Sequence, residues 1–202
     1  QGSDNDLFPD GGIVANIDDA NNDAKLYYFN PINNNEGYHL ASVFDRDLGM
    51  GYLYLNGDLV YEENISNVQD DINANINLIF GAHSEDQSWS VLNGELDNIK
   101  IWNKALNENE LNGELDSFQG LVGHWKFNTG SGEILYDHSG NGNHGALMNM
   151  DESAWVENIY GCTDELAMNY DPDANWDDGS CTYPENGEYS LSFDGDDFIT
   201  IL

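Results

Sequence analysis

Positive charge is scarce in this sequence. Five Lys and Arg residues stand against 38 Asp and Glu residues, so the formal net charge of the 202-residue chain is −33 at pH 7. So few cations cannot follow a phosphate backbone, and we therefore expect no nucleic acid partner. An anionic membrane surface would repel the chain. No apolar run reaches the ~18 residues of a membrane span, so we expect no membrane insertion.

This density of carboxylates requires neutralisation. Calcium binds the oxygens of Asp, of Asn and of the backbone, whereas dissolved salt screens repulsion between carboxylates without binding at one place. We therefore expect Ca²⁺ as the cofactor. Adaptation to high salt is the alternative explanation of the acidity.

Cysteine is also scarce. The two cysteines, Cys162 and Cys181, flank one Asp-rich loop. Two cysteines that close a short loop in an acidic chain predict a disulfide and an oxidising, extracellular location, with two free thiols as the alternative. The sequence begins at Gln1 without a basic segment followed by an apolar one. We expect any signal peptide to be removed already or to lie outside this sequence.

Short segments with alternating polarity dominate the chain and predict β-strands. In residues 51–61, two alternating arms meet at Asn56-Gly57, a preferred pair for a type I′ hairpin turn. One short helix is predicted, with Asn107 as its N-cap, Glu110 completing a capping box and Gly113 at its end. Further strands are predicted at residues 13–17, 25–29, 38–45, 76–82, 95–102, 121–127, 145–150, 189–194 and 198–202.

Two stretches resemble the laminin-G-like, concanavalin-A-like jelly-roll domain of secreted bacterial proteins. Residues 38–63 (YHLASVFDRDLGMGYLYLNGDLVYEE) with residues 76–111 resemble the second half of that domain. Residues 120–149 (GLVGHWKFNTGSGEILYDHSGNGNHGALMN) with residues 189–201 resemble its first half. Between them, residues 161–181 (GCTDELAMNYDPDANWDDGSC) are similar to a small Cys-bounded module of extracellular bacterial proteins.

Many short strands between Gly, Asn and Asp loops, together with this resemblance, imply an all-β fold. We expect an antiparallel β-sandwich of the jelly-roll type with a small disulfide-closed, Asp-rich module. The half-domains occur in reverse order, which is explained by a fragment of two tandem domains, by one register of a longer repeat, or by strand exchange with a neighbouring subunit. The predicted divisions are 1–113 (second half), 114–157 (first-half strands), 158–186 (the module) and 187–202 (further strands, donated to a neighbour in the last case).

Two loops are candidate calcium sites because their Asp and Asn oxygens alternate or surround glycines. In residues 137–145 the resemblance implies an ion near the loop. Residues 171–178 carry oxygen ligands at alternate positions, but without the Gly and Glu of an EF-hand. For both loops the alternative is a cluster of Asx turns, in which side chains bond their own backbone. The predicted ligands are Asp97, Asp137, Asn141, Asn143 and Asp194 at the first loop, and Asp171, Asp173, Asn175, Asp177 and Asp178 at the second.

Catalytic motifs are not found. The five histidines show no zinc spacing, and the chain contains neither a G-x-S-x-G elbow nor a glycine-rich phosphate loop. A glycosidase-like carboxylate pair would arise by chance among 38 acids, so we expect no enzyme. Trp89 is the candidate ligand-binding residue, because an exposed aromatic ring can stack on a sugar. Filling the core is its alternative role.

We therefore expect an extracellular, non-catalytic structural or adhesive protein, a repeat or subunit of a cell-surface or filamentous assembly stabilised by calcium. Its partners would be copies of itself, joined head to tail, or other surface proteins. The alternative is a lectin-like carbohydrate-binding module of a secreted protein, with a polysaccharide as its partner.

Overall fold

The computed structural model describes residues 12–19, 21–33, 36–72, 77–82, 92–113 and 118–184. The chain divides into two compact units, Gln1–Glu157 and Asn158–Leu202. Within the described ranges, none of the helices is long and apolar enough to cross a membrane.

Short strands build both units. The elements are β1 Ile13–Asp18, β2 Asp23–Tyr28, β3 Leu40–Asp45, β4 Met50–Leu55, β5 Asp58–Asn64, β6 Ile99–Trp102, α1 Glu108–Leu111, β7 Leu121–Trp125, β8 Ile134–Leu135, β9 Gly145–Ala146, a 3₁₀ turn at Glu152–Ala154, β10 Tyr160–Gly161 and β11 Trp176–Asp177. In the first unit, antiparallel pairing joins β1 to β2, β3 to β4 and β4 to β5, β6 to β7, and β8 to β9. In the second unit, β10 and β11 form a short parallel pair.

The β4–β5 hairpin confirms the strongest local prediction. Asn56 and Gly57 have φ angles of 52° and 88°, the positive values that both central residues of a type I′ turn require. The predicted helix is also present, and its capping box is complete. The Asn107 side chain accepts the Glu110 N–H at 3.1 Å, while the Glu110 carboxylate accepts the Asn107 N–H at 2.9 Å.

The β1–β2 hairpin packs against the β3–β4–β5 sheet. Its centre is a cluster of Ile17, Ala24, Ile65 and Val68, against which Phe44 packs. Leu26 is fully buried and lies over Gly51, where an added Cβ would come within 2.8 Å of Leu26 Cδ2. The core therefore depends on a strand position with no side chain.

The β6–β7 pair connects the two stretches that resemble opposite halves of the jelly roll. Ile99 lies opposite Trp125 in the register. Trp125 is buried and packs edge-on against Phe80, with 5.0 Å between ring centroids. The two stretches thus share one hydrogen-bonded pair. The division at residue 113 and the donation of residues 187–202 stay predictions, and the latter residues lie outside the described part.

Several strands are shorter than predicted. The segment 95–102 is a strand only from Ile99, because Asn98 has a φ of 50°, and left-handed backbone ends an extended strand. Residues 77–82 lie outside the strands, and only Gly145–Ala146 of segment 145–150 is extended and paired. The strands predicted at 189–194 and 198–202 lie outside the described residues. The mostly antiparallel β-structure nevertheless confirms the predicted fold class.

Candidate functional site

Asp137 is the centre of the loop 137–145. It is 8% exposed. One carboxylate oxygen accepts the N–H groups of His124 (2.9 Å) and Ser139 (2.8 Å), and the other accepts the Asn143 N–H (2.9 Å) and the Ser139 hydroxyl (2.8 Å). Burial alone would raise the pKa of Asp137, but these hydrogen bonds outweigh it and hold the pKa well below the usual range.

Asn141 and Asn143 fasten this loop to β7. The Asn141 amide donates to the carbonyl oxygens of Leu121 at 2.9 Å and Val122 at 3.0 Å, and the Asn143 amide donates to Val122 at 2.9 Å. In return, the Trp125 indole N–H donates to the Asn143 carbonyl at 2.9 Å. The loop is therefore held by amide groups directed at backbone oxygens.

These contacts correspond to the Asx-turn alternative for the loop. No group of three or more His, Cys, Asp or Glu side chains is arranged to hold a metal ion in the described ranges. An ion at Asp137 would have to displace hydrogen bonds that the carboxylate already accepts. Asp97 is exposed and precedes β6, and Asp194 lies outside the described residues. Calcium at this loop stays a prediction.

The predicted disulfide is present. Cys162 and Cys181 are bonded, with their Cα atoms 4.8 Å apart and 19 residues between them in sequence. Cys162 is buried. A disulfide is typical of proteins that fold in an oxidising compartment.

The Asp-rich loop that the disulfide closes consists of Asx turns. The Asp171 carboxylate accepts the Asp173 N–H at 3.0 Å, and the Asp178 carboxylate accepts the Ser180 N–H at 2.9 Å. Hydrogen bonds from the side chain and backbone of Ser180 lower the pKa of Asp178. Similar bonds link the Gly179 N–H to Asp177 at 3.1 Å and the Ile159 N–H to the Asn175 side chain at 2.7 Å. The second calcium site also stays a prediction.

A pocket between β2 and β5 was not predicted. Its volume is about 520 Å³. It combines one aromatic ring with carboxylates, amides and an ammonium group, which together can stack on a sugar ring and hydrogen-bond its hydroxyls. Its lining residues are Asp23, Ala24, Lys25, Tyr27, Glu63, Asn64 and Asn67.

Aromatic contacts position the ring in this pocket. Tyr27 stacks on Phe29 with 5.4 Å between centroids, and Tyr61 meets Tyr27 edge-on at 5.8 Å. Burial, together with a hydrogen bond to Glu63, raises the pKa of Tyr61. The sequence offered one signal, the alternation that places Lys25 and Tyr27 on one face of β2. It offered none that this face meets β5.

Trp89, the predicted sugar-stacking residue, lies outside the described residues. Another tryptophan in the first unit, Trp155, is half-buried. Its indole N–H donates to the Gly132 carbonyl at 3.2 Å. The role of Trp89 in binding a sugar therefore stays a prediction.

Comparison with protein families establishes where the chain belongs. The profile of the concanavalin A-like lectin/glucanases superfamily matches residues 6–112, which is more than half of the chain. The chain is a member of this superfamily. The resemblance of residues 38–63 and 76–111 is thereby confirmed. This lectin/glucanase segment contains the pocket, whereas the loop 137–145 lies beyond it.

Among solved structures, the lectin/glucanase chain is similar to a Bacteroides ovatus protein named as a "putative carbohydrate binding protein". The identity is 20% and the TM-score 0.50, over 61% of this chain and 37% of the other, so this likeness concerns the fold alone. The chain thus spans little more than a third of that protein.

A second structure, an S-layer domain-containing protein from Clostridium thermocellum, is 18% identical over 50% of this chain and 61% of the other. Its TM-score of 0.27 is too low to support an argument. No curated protein matches the chain.

Proposed function

We propose that the protein is an extracellular, non-catalytic, carbohydrate-binding module. Its membership of the concanavalin A-like lectin/glucanases superfamily carries the proposal, because lectins and glucanases both recognise carbohydrate. The name of the similar Bacteroides protein points the same way. The disulfide supports the extracellular location.

The pocket between β2 and β5 supports binding through chemistry that suits a sugar. Tyr27 contributes an aromatic wall, and Asn64 and Asn67 offer amide donors and acceptors. The Asn67 amide already donates to the Asp23 carbonyl at 3.2 Å, which fixes its orientation. Small-molecule sites typically combine a few such placed polar groups with an apolar or aromatic wall.

The carboxylates of this pocket favour binding over hydrolysis. Asp23 lies 3.4 Å from the Lys25 ammonium. Glu63 accepts the Tyr61 hydroxyl at 3.2 Å and the Asn64 N–H at 3.1 Å. A glycosidase needs two carboxyl groups that face the bond to be cut. Both pocket carboxylates are instead already engaged by neighbouring groups of the protein.

Replacing Tyr27 tests the pocket. We expect the parent protein to be retarded by at least one polysaccharide in affinity gels, and Tyr27→Ala to bind about tenfold more weakly, since an aromatic contact contributes about 1 kcal/mol or more. Tyr160→Ala is the matched control, an exposed tyrosine that does not line the pocket. Equal binding by Tyr27→Ala and the parent would exclude this pocket, and no binding to any polysaccharide would contradict the function.

The release of reducing sugar from a bound polysaccharide tests whether the protein is an enzyme. We expect no new reducing ends when the protein is incubated with the polysaccharides that it binds. Turnover that is abolished by Glu63→Gln, with binding retained, would show an enzyme instead.

A calcium-stabilised structural or adhesive assembly is the second proposal, motivated by the charge of −33. Bound calcium would neutralise carboxylates, and residues 187–202 would complete the sandwich of a neighbouring copy or of another surface protein. Light scattering should then detect larger particles in Ca²⁺ than in excess chelator. A 22.5 kDa monomer in both buffers would contradict it.

A further inference from the structure

Of the five cations of this acidic chain, Lys100 lies on β6 and Lys126 directly follows β7. Lys100 lies directly opposite His124 in the register. Lys126 follows His124 by two residues, so alternation places it on the same face of the pair. Both lysines are exposed. The face that they share points away from the buried ring of Trp125.

The segment after β8 extends this face. Asp137 bridges to Trp125 in antiparallel orientation, and both side chains are buried. Because side chains alternate between the two faces of extended backbone, Tyr136 and His138 lie on the face opposite to Asp137. There the His138 ring lies 6.3 Å from the His124 ring. Tyr136 is 45% exposed. We call this surface the cationic face, and it consists of Lys100, His124, Lys126, Tyr136 and His138.

The lysines of the cationic face differ from the other cations. Lys104 lies 2.6 Å from the Glu110 carboxylate, and Lys25 also has an acidic neighbour. In the part of the chain that the structure describes, neither Lys100 nor Lys126 forms an ion pair or a hydrogen bond. Two exposed lysines on one face, with no ion pair among the described residues, would attract an external anion.

The surroundings of His124 agree with this concentration of positive charge. Burial lowers its pKa first, and the charges of Lys100 and Lys126 and the nearby His138 lower it further. Asp137 acts in the opposite direction, but both of its oxygens already accept hydrogen bonds from the loop 137–145. None of the described contacts joins the Asp137 carboxylate to Lys100 or Lys126.

We propose that the cationic face binds a glycan that carries sulfate or carboxylate groups. Lys100 and Lys126 bind the anionic group, and Tyr136 stacks on the sugar ring beside it. The proposal rests on the proposed carbohydrate-binding function and adds a second site with its own ligand class.

Because the chain as a whole is strongly negative, an anionic glycan would bind it only at the cationic face. At a physiological ionic strength of about 0.15 M the Debye length is about 8 Å, so the many remote carboxylates are screened while a contact at the lysines is not. A chain with a charge of −33 has no general affinity for polyanions. Retention by a sulfated glycan therefore reports a local site.

Dextran sulfate and uncharged dextran are suitable probes because they share one backbone. We expect the parent protein at 0.15 M salt to bind dextran sulfate more tightly than dextran in calorimetry or affinity gels. The double variant Lys100→Gln/Lys126→Gln should weaken binding at least about tenfold, since two charge-assisted contacts are lost. Tyr136→Ala should weaken it as well. Lys104→Gln, which removes a lysine that already has a carboxylate partner, is the matched control and should bind like the parent.

The outcomes separate the two proposals. Binding of dextran sulfate that persists in the double variant, or no preference for it over dextran, overturns the cationic face, even where neutral polysaccharides still bind through Tyr27. Failure to bind any polysaccharide, charged or neutral, overturns the proposed function as well. Sedimentation that shows concentration-dependent dimers of the parent, lost in the double variant, together with no binding of dextran sulfate, would identify a second copy as the occupant.

Discussion

At the scale of single residues, two buried aspartates hold loops in place by accepting hydrogen bonds from backbone N–H groups. Asp19 is 7% exposed and accepts the N–H groups of Asn21 at 2.9 Å, Asn22 at 2.7 Å and Asp70 at 3.0 Å. It thereby ties the β1–β2 turn to the segment after β5. Asp137 binds its own loop to β7 in the same way. Backbone N–H groups stabilise these carboxylates in a chain that has few lysines to offer.

The pH dependence of stability should reflect Asp19. The Asn21 N–H, outweighing the effect of burial and aided by Asp70 and Asn22, lowers the pKa of Asp19 to about 2, against about 3.9 in an unfolded chain. A lowered folded-state pKa contributes stability that is present above about pH 4 and is lost as the pH falls toward 2. We expect the free energy of unfolding in urea to decrease across this window.

Asp19→Asn is the variant for this prediction. It should be less stable than the parent at pH 7, because a neutral amide accepts the three N–H bonds less well, and its stability should change less between pH 4 and pH 2. Asp18→Asn, at the exposed neighbouring position, should follow the parent curve. The same acid sensitivity in Asp19→Asn and the parent would show that other carboxylates govern the transition.

At the scale of elements, local signals decided the hairpin and the helix, and packing decided where strands end. Asn56-Gly57 and the Asn107–Glu110 box act within four residues, so sequence alone locates them. Strand β6 begins only at Ile99, because the backbone at Asn98 turns left-handed. Here its side chain meets the His124 ring at 2.9 Å, a contact that alternation of polarity does not reveal.

Gly51 tests the packing of the β1–β2 hairpin on β4. An alanine Cβ there would lie 2.8 Å from Leu26 Cδ2 and 3.2 Å from Ile65 Cγ2. We expect Gly51→Ala to lower the free energy of unfolding by about 1–3 kcal/mol, the usual cost of overpacking. Gly94→Ala is the control, since its nearest neighbour would be Leu92 Cδ1 at 3.8 Å. Unchanged stability in Gly51→Ala would mean that the Leu26 and Ile65 side chains shift to accommodate the added methyl group.

At the scale of the whole molecule, the second unit depends on its disulfide. Among its described residues, the buried hydrophobic side chains are Cys162 and Ala167. Closing a loop of about 20 residues stabilises a folded unit by about 3 kcal/mol in the chain-entropy model. The Asx turns order the loop but bury almost no apolar surface.

Removing the disulfide should therefore unfold this unit locally. In the double variant Cys162→Ala/Cys181→Ala, we expect hydrogen exchange to accelerate in residues 158–184, because little else holds them. The amides of the β4–β5 hairpin, which are hydrogen-bonded within the first unit, provide the internal control. Unchanged protection in residues 158–184 would show that the Asx turns alone are sufficient.

Sequence by itself determined what depends on covalent or short-range chemistry. The two cysteines predicted their disulfide, and the motifs of residues 38–63 and 76–111 identified the superfamily. The absence of a nucleic acid partner, inferred from the charge, stays a prediction. Sequence could not distinguish a calcium loop from a set of Asx turns. Both need Asp and Asn at close spacing, and only the backbone angles decide whether the oxygens face an ion or their own N–H groups.

Tertiary structure alone decided the two surfaces that we propose to bind carbohydrate. Tyr27 and Asn64 share a pocket because β2 packs against β5, and Lys100 lies opposite His124 because of the β6–β7 register. A shift of one residue in either strand would turn these side chains to the other face. Register depends on the packing of residues distant in sequence, so no local pattern encodes the pocket or the cationic face.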